Sequence, residues 1–436
     1  MPPLTQNKQN REEKSSIFAD FHIHSCFSYA TSKDMIIPRI SELSSKIGLD
    51  LIGTGDILHS KWIEHLSENL IRHEEGIYKF KGNHEILFIA TGEIEDKESI
   101  HHLFFLPNIE TGTELSLMFE RRYNIDMNKY GGRPILPISA DELVEIIHDY
   151  GGIIGPAHAF TPFKAIFRSN KYSSLKECYG DRADKIDFVE LGLSANSQLA
   201  DQISELWNYP YLSNSDSHSP NLGKMGRECN IIKMDTINYE NVLMSLKGKG
   251  RNKIIKNVGL EPRLGKYHGS FCFKCRRRIS YEDNPKKTFY ENFIFFEQGN
   301  KKAIIEEIIK KKLRCPACTG LLKLGVKDRI SSIATTSDVN MDRSKYCNIV
   351  PIPEILAVIL KLKSANTKKV KIAYKEITLK LGSEYSILLD KPISEIKKVN
   401  LTLGNIIEKM RENKLEIIEG GGGIFGKLKI PPSQQE

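Results

Sequence analysis

From Ile17 onward, short apolar runs alternate with stretches whose apolar residues recur at three- and four-residue spacing. The runs at residues 17–24, 50–56, 86–93, 101–106, 152–158, 186–191 and 211–214 predict strands. Residues 38–47, 139–150 and 197–207 predict helices between them. Ser139-Ala-Asp-Glu142 reads as a capping box ahead of Leu143, Ile146 and Ile147 at helical spacing. Alternating strands and helices imply parallel βαβ units, and roughly seven of them fit a closed or distorted (β/α) barrel better than an open sheet.

The pattern changes near residue 250. Residues 259–267 read as a linker into a cysteine-bearing basic segment with a predicted helix at 303–312. Past residue 336 the chain turns mainly helical, with periodic stretches at 353–362, 372–381 and 403–413. The expected organisation is a loose polar tail (1–16), an α/β barrel (17–258), a basic metal-binding module (259–336) and a helical DNA-binding domain (337–436). At 436 residues and 40% hydrophobic, the chain has a core's worth of apolar side chains, which excludes a mostly disordered protein. No apolar run is long enough to span a bilayer and the first residues are polar, so a cytoplasmic protein with no membrane partner is expected.

Charge sharpens this division. The net charge is +8, yet residues 251–330 alone hold 20 Lys and Arg against 8 Asp and Glu. A basic middle segment beside a mildly acidic remainder fits a docked polyanion, although charge alone fits a solvated surface equally well. Eight cysteines are too few and too scattered for a secreted disulfide framework. Four of them form Cys272-Phe-Lys-Cys275 and Cys315-Pro-Ala-Cys318, the pattern of a structural Zn²⁺ site with four thiolate ligands. A redox role is disfavoured because neither pair opens a helix after a strand. Basic clusters that include Arg276 and Arg277 surround these knuckles and offer a grip on a phosphate backbone.

Eleven of the twelve histidines precede Ser219. His22 and His24 stand two apart on a predicted strand, hence on one face. Asp56, Glu93, His102, His158, Asp216 and His218 lie at or near later strand ends, which converge on one rim in a barrel. Imidazole with carboxylate suits Zn²⁺, Mn²⁺ or Fe²⁺, whereas Mg²⁺ prefers oxygen alone. These motifs resemble the polymerase-and-histidinol-phosphatase (PHP) family in order and residue type. The resemblance implies a distorted (β/α)₇ barrel with two or three catalytic divalent ions (Zn²⁺, Mn²⁺ or Mg²⁺). It further implies that His22, His24, Glu93 and Asp216 hold one ion, that His102 and His158 share Glu93 around another, and that Asp56 and His218 serve a further position. Asp216, Glu93 and His24 are the expected catalytic centre. The second motif departs from the family, since Gly53-Thr-Gly-Asp56 is followed by Ile57, Leu58 and His59 rather than directly by histidine. His59 is therefore a candidate substrate contact or a partner that orients a ligand, and Glu190, at the end of its strand, fits a carboxylate that orients a ligand, a substrate contact or simply a polar strand end.

With the cysteine module and helical tail included, the chain resembles the endonuclease Q family of DNA-repair nucleases from about Ala19 to Gly426. The residues carrying the likeness are His22-Ile-His24-Ser, Ala30-Thr-Ser-Lys-Asp34, Gly155-Pro-Ala-His-Ala-Phe-Thr-Pro162, Glu190-Leu-Gly-Leu-Ser194, Ser213-Asn-Ser-Asp-Ser-His218, Gly325-Val-Lys-Asp-Arg329 and the Gly420 run. The resemblance implies nicking of damaged DNA 5′ to uracil, hypoxanthine, xanthine or an abasic site, leaving 3′-hydroxyl and 5′-phosphate ends. Such chemistry requires the damaged nucleotide to leave the stack. Phe160, Phe163, Lys164 and Arg168 in the loop after His158 interleave rings with cations and are candidate DNA contacts, though each ring equally suits packing on the barrel. A small-molecule phosphatase, a 3′–5′ exonuclease and a non-catalytic DNA binder are the competing expectations. A sliding clamp or another repair protein is a further candidate partner that no motif identifies.

Overall fold

The computed structural model describes residues 16–248 and 251–429. Apart from Ser16, the expected tail lies outside them. The first part carries strands β1 (Ser16–Asp20), β2 (Leu51–Gly53), β3 (Leu70–Glu74), β4 (Ile77–Phe80), β5 (Leu87–Ile89), β6 (Thr91–Glu95), β7 (His101–Phe105), β8 (Ile153–Pro156), β9 (Val189–Glu190), β10 (Tyr211–Leu212), β11 (Cys229–Lys233) and β12 (Lys253–Leu260). They form three hydrogen-bonded groups, β12-β11-β1-β2-β5-β4-β3, β6-β7-β8 and β9-β10. Ala19, Leu51, Leu103, Ile153, Leu212 and Ile232 from all three groups share one core, so the groups curve around a common interior.

Only part of this wall is parallel. β1–β2, β2–β5 and β9–β10 pair parallel, whereas β1–β11, β6–β7 and β7–β8 pair antiparallel. The expectation of parallel βαβ units throughout is thus corrected. Residues 96–100, the link from β6 to β7, are too few for a crossover helix and permit only a hairpin turn.

The outer helices follow the apolar periodicity with local differences. The helix Ile37–Ile47 starts with proline in its first turn and stops at Gly48, whose φ of 98° admits glycine at no steric cost. The helix Ala140–Asp149 forms, but the capping box does not: Ser139 makes no side-chain bond to the helix N–H groups, and Glu142 instead accepts from Tyr123 Oη at 2.9 Å. The helix expected at 197–207 is broken into Ser197–Ala200 and a 3₁₀ turn, Ser204–Asn208. An unanticipated helix, Ile109–Tyr123, begins where the Asn108 side chain accepts from Thr111 N.

The middle part is a small sheet, β13 (Phe271–Cys272), β14 (Arg278–Glu282), β15 (Phe289–Tyr290), β16 (Phe293–Glu297) and β17 (Leu322–Lys323), backed by the helix Lys301–Ile309. Its own core is slight, centred on Ile279, Ile294, Ile305, Ile308 and Leu322. The third part begins with β18 (Lys345–Ile349), which adds parallel to β12 over Lys256–Leu260. The expected boundary at 258/259 therefore falls inside a strand that two parts share. Helices Ile352–Ile359, Lys368–Leu381, Ile393–Val399 and Leu401–Arg411 follow. Arg343 locks this part to the first, stacking 3.6 Å from the Tyr211 ring centroid and bonding Asp201 and the carbonyls of Leu206 and Tyr209. Among the described residues no helix is long and apolar enough to cross a membrane.

Candidate metal centre

Beyond β1 the chain continues as Phe21-His22-Ile23-His24, and Ile23 bridges Ser217 in parallel. His24 N donates to Ser217 O at 3.0 Å, which sets the histidine pair beside Asp216 and His218. Three groups of side chains converge here: His22, His24 and Glu93; His24, Asp216 and His218; and Glu93, His101 and His158. Within each, one ligand-type atom per residue lies within 4.8 Å of the others. Glu93 sits at the centre, with Oε1 at 2.8 Å from His101 Nδ1, 3.0 Å from His158 Nε2 and 3.6 Å from His22 Nε2. His24 Nε2 lies 3.1 Å from Asp216 Oδ1 and 3.7 Å from Glu93 Oε2.

Each of these imidazoles turns its second nitrogen outward to an oxygen. His22 Nδ1 meets Glu190 at 3.0 Å, His24 Nδ1 meets Asp56 Oδ1 at 3.2 Å, His101 Nε2 meets Glu95 Oε2 at 3.3 Å and His158 Nδ1 meets Thr161 Oγ1 at 3.1 Å. An outer oxygen of this kind fixes the tautomer and leaves the inner nitrogen with a free lone pair, which is how metal-binding histidines are oriented. Behind His22 the ordering continues. Asn214 Nδ2 donates to Glu190 Oε1 (2.8 Å), Asn230 Nδ2 to Asn214 Oδ1 (3.0 Å) and Asn257 Nδ2 to Asn230 Oδ1 (2.9 Å). All four side chains in this relay are buried.

The electrostatics fit a cation. Burial works against a charged His22, yet Glu190, Glu93 and Asp216 together push its pKa up to about 10. Although desolvation works the other way, Glu93 and the part-exposed Asp216 are held well below the usual carboxylate range by the surrounding imidazoles. His22 Nε2 and Glu93 Oε2 are buried and have no hydrogen-bond partner. Each such orphan costs about 1–3 kcal/mol, so both pointing into one carboxylate–imidazole cluster matches a metal site rather than a packed core. Backbone strain collects at the same rim: Asp56, His158 and Asp216 take φ of 46°, 32° and 47°, in a region non-glycine residues enter at a cost.

The four cysteines also converge. Cys272 Sγ–Cys318 Sγ is 3.4 Å and Cys275 Sγ–Cys315 Sγ is 3.8 Å, and none is in a disulfide. Metal–sulfur bonds of about 2.3 Å in a tetrahedron give edges of roughly 3.8 Å, so these thiols fit a four-coordinate ion.

Several expected site residues take other places. His102 does not reach the cluster, because it lies on the opposite face of β7, between Asp96 Oδ2 (3.1 Å) and Tyr179 Oη (2.9 Å). Its neighbour His101 occupies the place expected for it. Asp56 stands behind His24 and accepts from Ser25 N at 2.7 Å, outside the three groups. Glu190 is buried and spent on His22, His158 N and Asn214, which leaves no face for substrate. His59 stacks on Phe27 at 4.6 Å and belongs to none of the three groups. Phe160 is buried against Phe167, Lys164 pairs with Glu95 and Arg168 donates to Ser99 O, so these three hold the loop down. Phe163 is exposed. Arg277 donates to Glu291 O at 2.8 Å, and Arg276 lies over Phe273. Sequence reasoning missed His101, Glu95, the asparagine relay and Arg133, whose Nη1 lies 3.6 Å from Glu93 Oε2.

Comparison with known proteins supplies the family. A lesion-specific endonuclease from Pyrococcus furiosus, PfuEndoQ, matches at 36% identity and a TM-score of 0.83, over 97% of either chain. The chain belongs to the endonuclease Q family. A structure of endonuclease Q with a 27-mer duplex substrate, carrying an abasic lesion at its active site, matches at 36% identity and a TM-score of 0.84 over 97% of this chain and 98% of that one. Residues 351–414 match the family model of the MJ0043 C-terminal domain. The uncharacterised protein MJ0043 of Methanocaldococcus jannaschii is 34% identical over 303 residues; the match takes in 67% of this chain but only 34% of MJ0043. The uncharacterised protein YqxK of Bacillus subtilis is 29% identical over 95% of this chain and 99% of its own length.

Proposed function

We propose that this protein is a metal-dependent DNA-repair endonuclease that nicks one strand 5′ to a deaminated base or an abasic site. The observation that carries the reading is that its likeness to endonuclease Q, a lesion-specific nuclease, runs through 97% of the chain, metal centre and accessory parts together. A phosphatase or exonuclease reading accounts for the carboxylate–imidazole cluster and leaves the cysteine module and helical part without a task.

His22, His24, His101, His158, Glu93, Asp216 and His218 would hold two or three divalent ions in a PHP-type arrangement. Such ions, when bound, supply Lewis-acid polarisation of a phosphodiester and a water of lowered pKa. Glu190, Asp56, Glu95 and Thr161, accepting at the outer nitrogens of His22, His24, His101 and His158, would hold these four imidazoles in the tautomer that presents a lone pair inward. Asp216, at about 31% side-chain exposure, is the carboxylate of the cluster most open to a substrate. That exposure supports a role for Asp216 in orienting the attacking water. Arg133, beside Glu93 and part-exposed, is placed to steady the phosphate charge. Cys272, Cys275, Cys315 and Cys318 would hold a structural Zn²⁺, since all four positions are filled by protein. Damaged DNA is the partner, and the basic middle part supplies the grip on its backbone.

The test uses labelled duplexes bearing a single uracil, hypoxanthine, abasic site or normal base, with Mg²⁺ or Mn²⁺. A single nick 5′ to the lesion, reduced by more than roughly 100-fold in Asp216→Asn, is the expected result. Equal degradation of all duplexes from their 3′ ends, or brisk hydrolysis of a small phosphate ester without DNA cleavage, would overturn it.

A further inference from the structure

A line of rings and cations crosses the surface from beside the metal centre to Phe425. It starts at Phe163, whose carbonyl accepts from Thr161 Oγ1, the same hydroxyl that meets His158 Nδ1. On one side Phe163 packs edge-on against Tyr267, with centroids 5.6 Å apart. Lys266 lies 5.1 Å from the Tyr267 ring and 5.9 Å from Phe425, and Lys224 lies 5.2 Å from Phe425. On the other side Lys323 spans Phe163 (5.5 Å) and Phe273 (4.6 Å), and Arg276 covers Phe273 at 5.0 Å. The line draws on the loop after His158, the linker, the cysteine module and the segment after Gly420–Gly423.

Two properties set this line apart from ordinary surface. Phe163, Phe273 and Phe425 are 48%, 47% and 45% exposed, although large apolar rings gain about 25 cal/mol per Å² from burial. Among the described residues, Lys224, Lys266, Lys323 and Arg276 have no carboxylate within ion-pair distance. Burial and Arg227 lower the pKa of Lys224, with Glu354 pulling the other way and Lys266 adding to the fall. Cations alone would serve a duplex, whose bases are already stacked on each other. Exposed rings spaced between the cations serve bases that have lost their partners.

We propose that this ladder is a binding track for an unpaired stretch of DNA, which holds the strand flanking the metal centre by stacking its bases on Phe163 and Phe273 while Lys323, Lys266 and Arg276 meet its phosphates. The inference deepens the endonuclease reading and rests on it for the identity of the nucleic acid. The strand is opened beside the cleavage point, and the base turned out there is kept from restacking because its neighbours are already occupied.

The experiment measures binding of fluorescein-labelled, lesion-free oligothymidine by anisotropy to the full-length protein, with no cleavage involved. Phe163→Ala and Phe273→Ala should each raise Kd by roughly 10-fold, and Phe273→Tyr, which keeps a stacking ring, should restore it. Unchanged melting temperatures in the variants exclude a folding effect. Equal affinity of wild type and both alanine variants for oligothymidine overturns the track. So does a loss caused by Lys323→Gln but by neither ring variant, which would mark a phosphate grip alone. If either result accompanies a normal lesion-directed nick by the wild-type protein, the track fails and the endonuclease reading stands. If wild type binds oligothymidine through the rings but does not nick, the track stands and that reading fails.

Discussion

At the scale of single residues, the centre depends on which face of a strand a side chain occupies. His101 and His102 are adjacent, so β7 can turn only one of them to Glu93. The strand is buried on both faces, with Leu103 and Phe105 in the inner core and Phe104 in the outer one. No apolar–polar alternation therefore exists in the sequence to set the parity, and the expectation fell on the wrong histidine. His101→Ala should lower metal content and reduce nicking by more than roughly 100-fold. His102→Ala should leave metal content intact and cost about 1–3 kcal/mol of stability, by orphaning Tyr179 and Asp96. Metal analysis of the two purified variants separates these outcomes. The His-x-His pair, Glu93, His158 and Asp216-x-His218 could be picked out in the sequence because each lies within or just past a predicted strand, and the structure brings them together with Glu93 inside β6 and the others beyond strand ends. The outward partner Glu190 was legible only as one of three open readings and Glu95 not at all, since a buried carboxylate that orients a histidine has the same sequence signature as one that touches substrate.

At the scale of elements, two structures take their stability from polar groups in ways that can be measured. The small sheet β13–β17 has too slight a core to hold itself together by burial alone, and its knuckles meet at four thiols. Cys315→Ser should release one zinc per chain and destabilise this part by at least about 2 kcal/mol, read by metal analysis and by protease sensitivity of residues 271–323. Glu384 behaves oppositely to a paired surface carboxylate. It accepts from Ile352 N at 2.8 Å and from Tyr374 Oη at 2.9 Å, so it ties two helices together. Burial nevertheless pushes its pKa up to about 7 against the opposing pull of those bonds. A carboxyl whose folded pKa is raised stabilises the fold fully below the unfolded value of about 4.5 and loses that contribution as pH rises through about 7. Stability should therefore fall between pH 5 and pH 8 by up to about 3 kcal/mol, and Glu384→Gln should flatten the dependence. Denaturant titrations at the two pH values check this. Helix ends were the least legible part of the sequence, as at Ser139, because a capping serine can bond its own neighbour Asp141 as readily as the helix.

At the scale of the whole molecule, the three parts share strands and side chains more closely than their compositions suggest. Composition marked out the basic middle, because charge and cysteine content are properties of the chain itself. It could not show that β18 completes the sheet of the first part, since parallel pairing of β12 with a strand some 90 residues later leaves no local signal. Arg329 makes a similar joint, sending its Nε to Phe167 O and an Nη to Tyr172 O, each at 2.9 Å, from the helix Val326–Ile333 to the loop after His158.

The asparagine relay gives that joinery a bearing on engineering. Its last member, Asn257, lies on the strand whose free edge β18 covers, and its first partner, Glu190, sets the ring of His22. A minimal nuclease cut after residue 258 would keep every side chain of the three metal groups. It would also bare the strand that carries Asn257, leaving His22 under looser control than in the intact protein. Grafts and fusions that need the cleavage centre are better carried through Ile349 than stopped where the composition changes.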